Sequence, residues 1–140
     1  MTIYLDTSVV VSFFVADSLS ARSDAFLRGV RSPLVLADFA AAEFVSAIGR
    51  HRRTGVLTLA DALLAISNFD RWRIAGTVAA ETHSADVQAA DAMLRRLDLT
   101  LRTPDAVNLA IAQRLGAELA TFDQRMADCA RALAIPAVVL

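Results

Sequence analysis

The chain contains no lysine, and all 14 of its basic residues are arginine. Mechanisms that need a lysine nucleophile or a phosphate-loop lysine are thereby excluded. A single cysteine, Cys129, leaves no partner for an internal disulfide and fits a reducing compartment. The only histidines, His51 and His83, have no acid or serine at a motif spacing, so neither a zinc site nor a catalytic triad is expected from them. With 5 glycines and 3 prolines in 140 residues, no linker, low-complexity tract or repeat breaks the chain, which reads as one domain over residues 1–140. The longest uncharged apolar stretch, Thr7 to Ala16, is far short of the roughly 20 residues that span a bilayer, so no membrane residence is expected. The opening Met1-Thr2-Ile3-Tyr4-Leu5-Asp6 has no basic region before its apolar residues, which argues against a secretory signal and for a cytoplasmic protein.

Hydrophobic residues, in contrast, are abundant: they make up 56% of the chain, and the mean hydropathy is +0.47. Disorder is excluded, and either a dense core or a surface covered by a partner or a second copy is implied. The formal charge of −1 does not advertise nucleic-acid binding, but it turns positive once the four acids discussed below are set aside. Local charge then matters more than the net.

The pattern predicts short strands alternating with helices. Residues 2–5 form a strand and Thr7 to Phe14 a helix, followed by a helix over Ser20 to Arg28 and a strand over Leu34 to Ala37. Asp38 caps a long helix ending near Arg53 to Gly55, and Thr58 caps another running through Arg73. Gly76 to Ala79 is read as a strand and Thr82 to Leu97 as a helix. Thr103-Pro104-Asp105 then opens a helix, with the hydroxyl as cap and proline at its first position, that Gly116 ends. Glu118 to Thr121, Gln124 to Leu133 and Pro136 to Val139 complete the series as strand, helix and strand. Such alternation implies a three-layer α/β domain, with a central parallel sheet of four to five short strands flanked by helices. Ligands of these open sheets sit outside the carboxyl ends of the strands.

Four acids stand at element edges. Asp6 follows the first strand, Asp123 lies just past Glu118 to Thr121, and Asp105 sits in the first turn of a helix apolar on nearly every side. Each has a structural reading as well: an N-cap for Asp6 and Asp123, and helix-dipole stabilisation for Asp105. The helical wheel groups Glu43 with Ser46 and Arg50, away from Phe44, Val45 and Ile48, which on periodicity makes it solvent-facing. Taken together, oxygen ligands from separate elements suit Mg2+ or Mn2+. Such an ion acidifies a bound water and neutralises phosphate charge in an in-line displacement.

The segments Tyr4-Leu5-Asp6-Thr7-Ser8, the Glu43 helix with Arg50, Thr103-Pro104-Asp105-Ala106-Val107-Asn108-Leu109-Ala110 and Gly116 through Asp123 together resemble a PIN-domain ribonuclease. The similarity is strongest to the toxins of VapBC toxin–antitoxin modules and covers essentially the whole chain, with the four acids in matching order and spacing. The resemblance implies an acidic metal site of Asp6, Glu43, Asp105 and Asp123, supported by Ser8 and Thr121. It also implies endoribonuclease activity with Mg2+ or Mn2+, water as nucleophile, and products ending in 5′-phosphate and 3′-hydroxyl. The partners it implies are an RNA substrate, a small antitoxin that covers the site, and a second copy in a homodimer. Asn108 falls where that family varies, and no role is assigned to it.

Among the remaining residues, Arg50 shares a helix face with Glu43 and is read as a phosphate or carboxylate contact. Arg52 and Arg53 suit the C-terminal end of a helix dipole. Trp72, between Arg71 and Arg73, is read as closing a helix against the core rather than stacking on RNA bases. The apolar helices at Val9 to Phe14 and Ala60 to Phe69 are read as core, or as a groove for a partner. An aspartate-phosphatase reading fails because Ser8 stands where a second aspartate is needed, and a receiver domain fails for want of an acid pair and a lysine. A catalytically inactive PIN-fold protein-interaction module is the remaining alternative. It gives no chemical reason to hold mutually repelling carboxylates together.

Overall fold

A computed structural model describes residues 1–140 as a five-stranded, all-parallel sheet in the order β3-β2-β1-β4-β5, flanked by seven helices. This is the expected three-layer α/β arrangement. The strands are β1 (Ile3–Leu5), β2 (Leu34–Ala37), β3 (Val78–Ala80), β4 (Glu118–Thr121) and β5 (Ala137–Val139). The helices are α1 (Thr7–Phe14), α2 (Ser20–Gly29), α3 (Asp38–Arg53), α4 (Leu59–Gly76), α5 (Ser84–Arg95), α6 (Thr103–Leu115) and α7 (Gln124–Ala132). β1 lies at the centre, with Ile3 and Tyr4 in register with Leu34 and Val35 on one side and Ile3 to Leu5 with Glu118 to Ala120 on the other. Tyr4, Leu5, Leu119 and Ala120 are fully buried, as strands covered on both faces require.

Local chemistry accounts for the elements and for small shifts in their ends. α1 carries three consecutive valines, poor helix formers, yet Val9 and Val10 are fully buried and Asp6 caps the first turn, so packing and the cap override propensity. The strand read as Gly76 to Ala79 is Val78–Ala80, because Gly76 closes α4 and Val78 is the first residue in register with β2. The helix read from Thr82 to Leu97 is Ser84–Arg95. It begins after His83, whose N–H is taken by the Asp86 carboxylate at 2.8 Å, and it stops short of Leu97, whose φ of 61° is left-handed. Asp38 is not a cap. It is the first residue of α3, behind Ala37, and its carboxylate accepts from the backbone N–H and hydroxyl of Thr82, tying α3 to the segment after β3. Thr103 is likewise inside α6, with Arg102 at the cap position and Asp105 reaching back to it.

Trp72 packs with Phe13, Phe14 and Phe69, and Phe69 stacks on Phe44 with centroids 4.0 Å apart. The core reading of Trp72 therefore holds. α4 is divided: Ala62, Ala65 and Phe69 are buried, whereas Leu59, Leu63 and Leu64 face solvent, Leu63 at 59% exposure. Val45, grouped with the apolar face of α3 by periodicity, is also exposed. No helix is long and apolar enough to cross a membrane.

Candidate active site

The carboxyl ends of β1 and β4 lie side by side, and a cleft of about 520 Å3 opens over them. Asp6, Glu43, Asp105 and Asp123 all line it, together with Ser8 and Arg50. The fold thus gathers acids separated by up to most of the chain: Asp6 after β1, Asp105 in the first turn of α6 and Asp123 ahead of α7 stand at element edges, whereas Glu43 comes from within α3.

Asp6, 8% exposed, leaves β1 as the N-cap of α1. Its Oδ2 accepts the Ser8 hydroxyl at 2.5 Å, the Ser8 N–H at 3.4 Å and the Thr121 hydroxyl at 2.8 Å. Thr121 Oγ1 in turn accepts the Asp123 N–H at 3.0 Å, and Ser8 Oγ accepts the Phe122 N–H at 3.1 Å. The two hydroxyls therefore clamp β1 to β4 and fix the direction of the Asp6 carboxylate. Asp123 caps α7, its Oδ1 accepting from the N–H groups of Arg125 and Met126. Asp105 Oδ2 accepts the Arg102 N–H at 3.1 Å and faces the Arg102 guanidinium at 3.6 Å.

Glu43 is half-buried rather than solvent-facing, because α6 packs beside it. Its Oε1 accepts from Asn108 Nδ2 at 2.6 Å and from the Thr7 hydroxyl at 3.2 Å. Asn108, 1% exposed, also donates to the Pro104 carbonyl and accepts the Tyr4 hydroxyl at 2.5 Å. Thr7, Tyr4 and Asn108 are not marked as site residues by the sequence pattern. The available signal was Asn108 itself, an amide one turn after Asp105 in a helix whose neighbouring positions are all apolar and buried. Tyr4→Phe leaves the Asn108 carbonyl without its donor. A loss of about 1–2 kcal/mol is expected in a denaturant titration.

A common pattern emerges from these bonds. Each of the four carboxylates has one oxygen held by protein donors while the other receives no hydrogen bond. No buried side-chain oxygen in the protein lacks a partner, so the four free oxygens are open to solvent in the cleft. That donor set is hard, anionic and oriented, and it fits a Mg2+- or Mn2+-type ion. No three acidic side chains close around a single point in this structure, so an ion here would keep several waters, as Mg2+ commonly does.

Electrostatics favours the same reading. Burial pushes the Asp6 carboxyl above the usual range, the Ser8 and Thr121 donors offset part of this, and the charge of Asp105 adds to it. Burial also raises Glu43, opposed by the Asn108 donor and reinforced by the charge of Asp6. Tyr4 is raised as well, by burial first and by the Glu43 charge second. Two arginines, Arg50 and Arg102, face four acids across the cleft. A phosphodiester would meet net repulsion there unless cations entered with it.

Residues 3–132 match the PIN domain family. The chain belongs to that family. The PIN domain is 32% identical to ribonuclease VapC46 of Mycobacterium tuberculosis over 142 residues, covering 97% of this chain and 95% of the relative. Its fold is similar to that of VapC20 from the same organism, a Sarcin-Ricin loop cleaving toxin, with a TM-score of 0.73 at 17% identity over 90% of this chain and 93% of the other. It is also similar to VapBC2 from Rickettsia felis bound to a promoter DNA fragment, with a TM-score of 0.73 at 13% identity over 99% of this chain and 98% of the other. VapBC-1 from nontypeable Haemophilus influenzae gives 0.66 at 15% identity over 99% and 98%. The PIN domain is therefore VapC-like along its whole length. Neither His51 nor His83 lines the cleft.

Proposed function

We propose that the protein is a divalent-metal-dependent endoribonuclease and the toxin of a cytoplasmic toxin–antitoxin pair. The observation that carries this reading is the set of four half-engaged carboxylates around one cleft in a chain similar to a VapC ribonuclease. Asp6, Glu43, Asp105 and Asp123 would hold Mg2+ or Mn2+, which when bound supplies charge neutralisation at phosphate and a more acidic water. Ser8 and Thr121 hold Asp6 in place, and Asn108 does the same for Glu43. A cleft carboxylate accepts a proton from the attacking water, and Glu43, raised by burial and open on one oxygen, suits that task. Arg50 meets the substrate phosphate. The reaction cleaves the phosphodiester to leave 5′-phosphate and 3′-hydroxyl ends.

The exposed leucines of α4 support a protein partner, and with the similarity to VapBC assemblies we assign that partner as a small antitoxin, with the protein itself a homodimer. The deciding experiment is a calorimetric Mn2+ titration of the protein alone beside Asp105→Asn. Binding by the natural chain that is lost in the variant is the expected result. No binding to either protein, together with no cleavage of RNA in Mn2+, would instead favour an inactive interaction module.

A further inference from the structure

The cleft does not end at the acids. Past Asp105 and Asp123 it continues into a cavity of about 140 Å3 that shares Arg102, Asp105, Asp123 and Met126 with it. A further cavity of about 280 Å3 shares Leu99, Thr100 and Arg125 with the second. The three form one groove with the acids in its interior, Arg50 toward one end and Arg125 toward the other.

The charges along this groove are unequally satisfied. Asp98 and Asp128, which line the far end, are already engaged, by Arg96 at 2.8 Å and by Arg131 at 3.0 Å, with Gln124 donating to Asp128 as well. Arg102 faces Asp105. The guanidinium groups of Arg50 and Arg125, in contrast, take part in none of the chain's ion pairs and donate none of its side-chain hydrogen bonds, although seven other arginines pair with aspartates. Arg125 is also fixed at its root, since its N–H is bound by Asp123 in the first turn of α7. An anchored arginine whose head group has no anion, at the end of a groove leading from acidic residues, has the properties of a phosphate contact.

We propose that Arg125 is a substrate-positioning residue that binds a backbone phosphate of an unpaired RNA strand, on the opposite side of the scissile phosphate from Arg50. The inference rests on the nuclease reading and deepens it. The strand lies extended along the groove, and its two flanking phosphates are gripped while the scissile one is presented to the acids. The two cavities are walled by residues 99–101 on one side and α7 on the other, a run of small cavities that suits one strand rather than a duplex.

The test uses the full chain carrying Asp6→Asn to prevent cleavage, and follows binding of a labelled oligouridylate over a range of salt concentrations. Adding Arg125→Ala should weaken binding about tenfold and flatten the salt dependence by about 0.7 in log–log slope, as the loss of one phosphate contact to a single strand requires. Arg125→Lys should restore much of the slope. Arg31→Ala removes an exposed charge just ahead of β2, at the amino-terminal end of the strands and away from the cleft at their carboxyl ends, and should change neither quantity. In the otherwise natural chain, Arg125→Ala should raise KM for a cleaved RNA with kcat nearly unchanged and the thermal midpoint unmoved. Unaltered binding and slope in Arg125→Ala, an equal effect from Arg31→Ala, preference for a duplex, or no oligouridylate binding at all would each overturn the proposal. RNA cleavage by the natural chain in Mn2+ judges the nuclease reading separately.

Discussion

Asp6→Asn is expected to abolish RNA cleavage while making the metal-free protein more stable to heat. Asparagine keeps an oxygen to accept the Ser8 and Thr121 hydroxyls, so the clamp between β1 and β4 survives. What disappears is the negative charge whose second oxygen faces the cleft. If metal activation of water and phosphate supplies several kcal/mol, its loss lowers the rate by about a thousandfold or more. The stability effect follows from burial. A carboxyl whose folded pKa lies above its unfolded value contributes stability that is full below the unfolded pKa and fades as pH rises through the folded one. Asp6 is such a group, and so is Glu43. Wherever Asp6 is ionised, its buried charge therefore opposes folding of the metal-free protein, and asparagine removes that opposition. Thermal melts of both proteins should diverge as pH rises and converge on acidification, and Mn2+ should raise the midpoint of the natural chain alone. Full cleavage by Asp6→Asn would remove Asp6 from the chemistry, and a melt lower than that of the natural chain would mean that its charge supports the fold.

The largest stability effect is expected away from the cleft, at Arg114→Ala. Asp86 is 2% exposed and takes two hydrogen bonds from Arg114, at 2.7 and 2.9 Å, while Arg114 also donates to the Glu81 carbonyl. The pair ties α6 to the start of α5. Removing the arginine strands a buried carboxylate, which costs about 3–5 kcal/mol in comparable pairs. The lower end applies here because the Arg114 side chain remains 29% exposed. A fall of about 10 °C in the melting midpoint corresponds to that loss. Burial alone would raise the Asp86 carboxyl, but the Arg114 donors and the His83 N–H outweigh it and hold it below the usual range. Its contribution is thus present above the unfolded pKa and lost as pH falls through the folded one. In Arg114→Ala the same carboxyl has lost its main counterweight to burial, so the deficit should shrink between neutral pH and about pH 4. The double variant Arg114→Ala, Asp86→Ala should be more stable than Arg114→Ala alone, since no unpaired charge is left. Measured equality of the two would show that the carboxylate is solvated once the arginine is gone.

The helix around Asp86 is legible in the sequence, but the role of Asp86 is not. Strands and helices were readable because their signals are local: Gly116 stops α6, Thr58 caps α4, and short apolar runs mark β2 and β4. Asp6, Asp105 and Asp123 are readable as edge acids, but each also caps or charges a helix start, so only their common place around one cleft separates them from ordinary capping residues. Periodicity places Glu43 on the solvent side because a helical wheel ranks faces by hydrophobicity alone, whereas Asn108 approaches it from α6. Asp38 and Thr103 were misread by a residue at each helix start, where the capping residues are Ala37 and Arg102, types that pattern reading does not nominate. Long-range polar pairs, such as Tyr4 with Asn108 or Asp86 with Arg114, leave no periodic trace in a single chain.

The bond from Thr121 to Asp6 spans 115 residues, and β1 finds β4 only across that interval. Contacts of such sequence separation form late, because most of the loop between them must be closed first. A nascent chain still short of Thr121 on the ribosome therefore has Asp6 and Glu43 but neither the clamp nor Asp123. The cleft is thus assembled only once the last seventh of the polypeptide is available, which follows at roughly 5–20 residues per second.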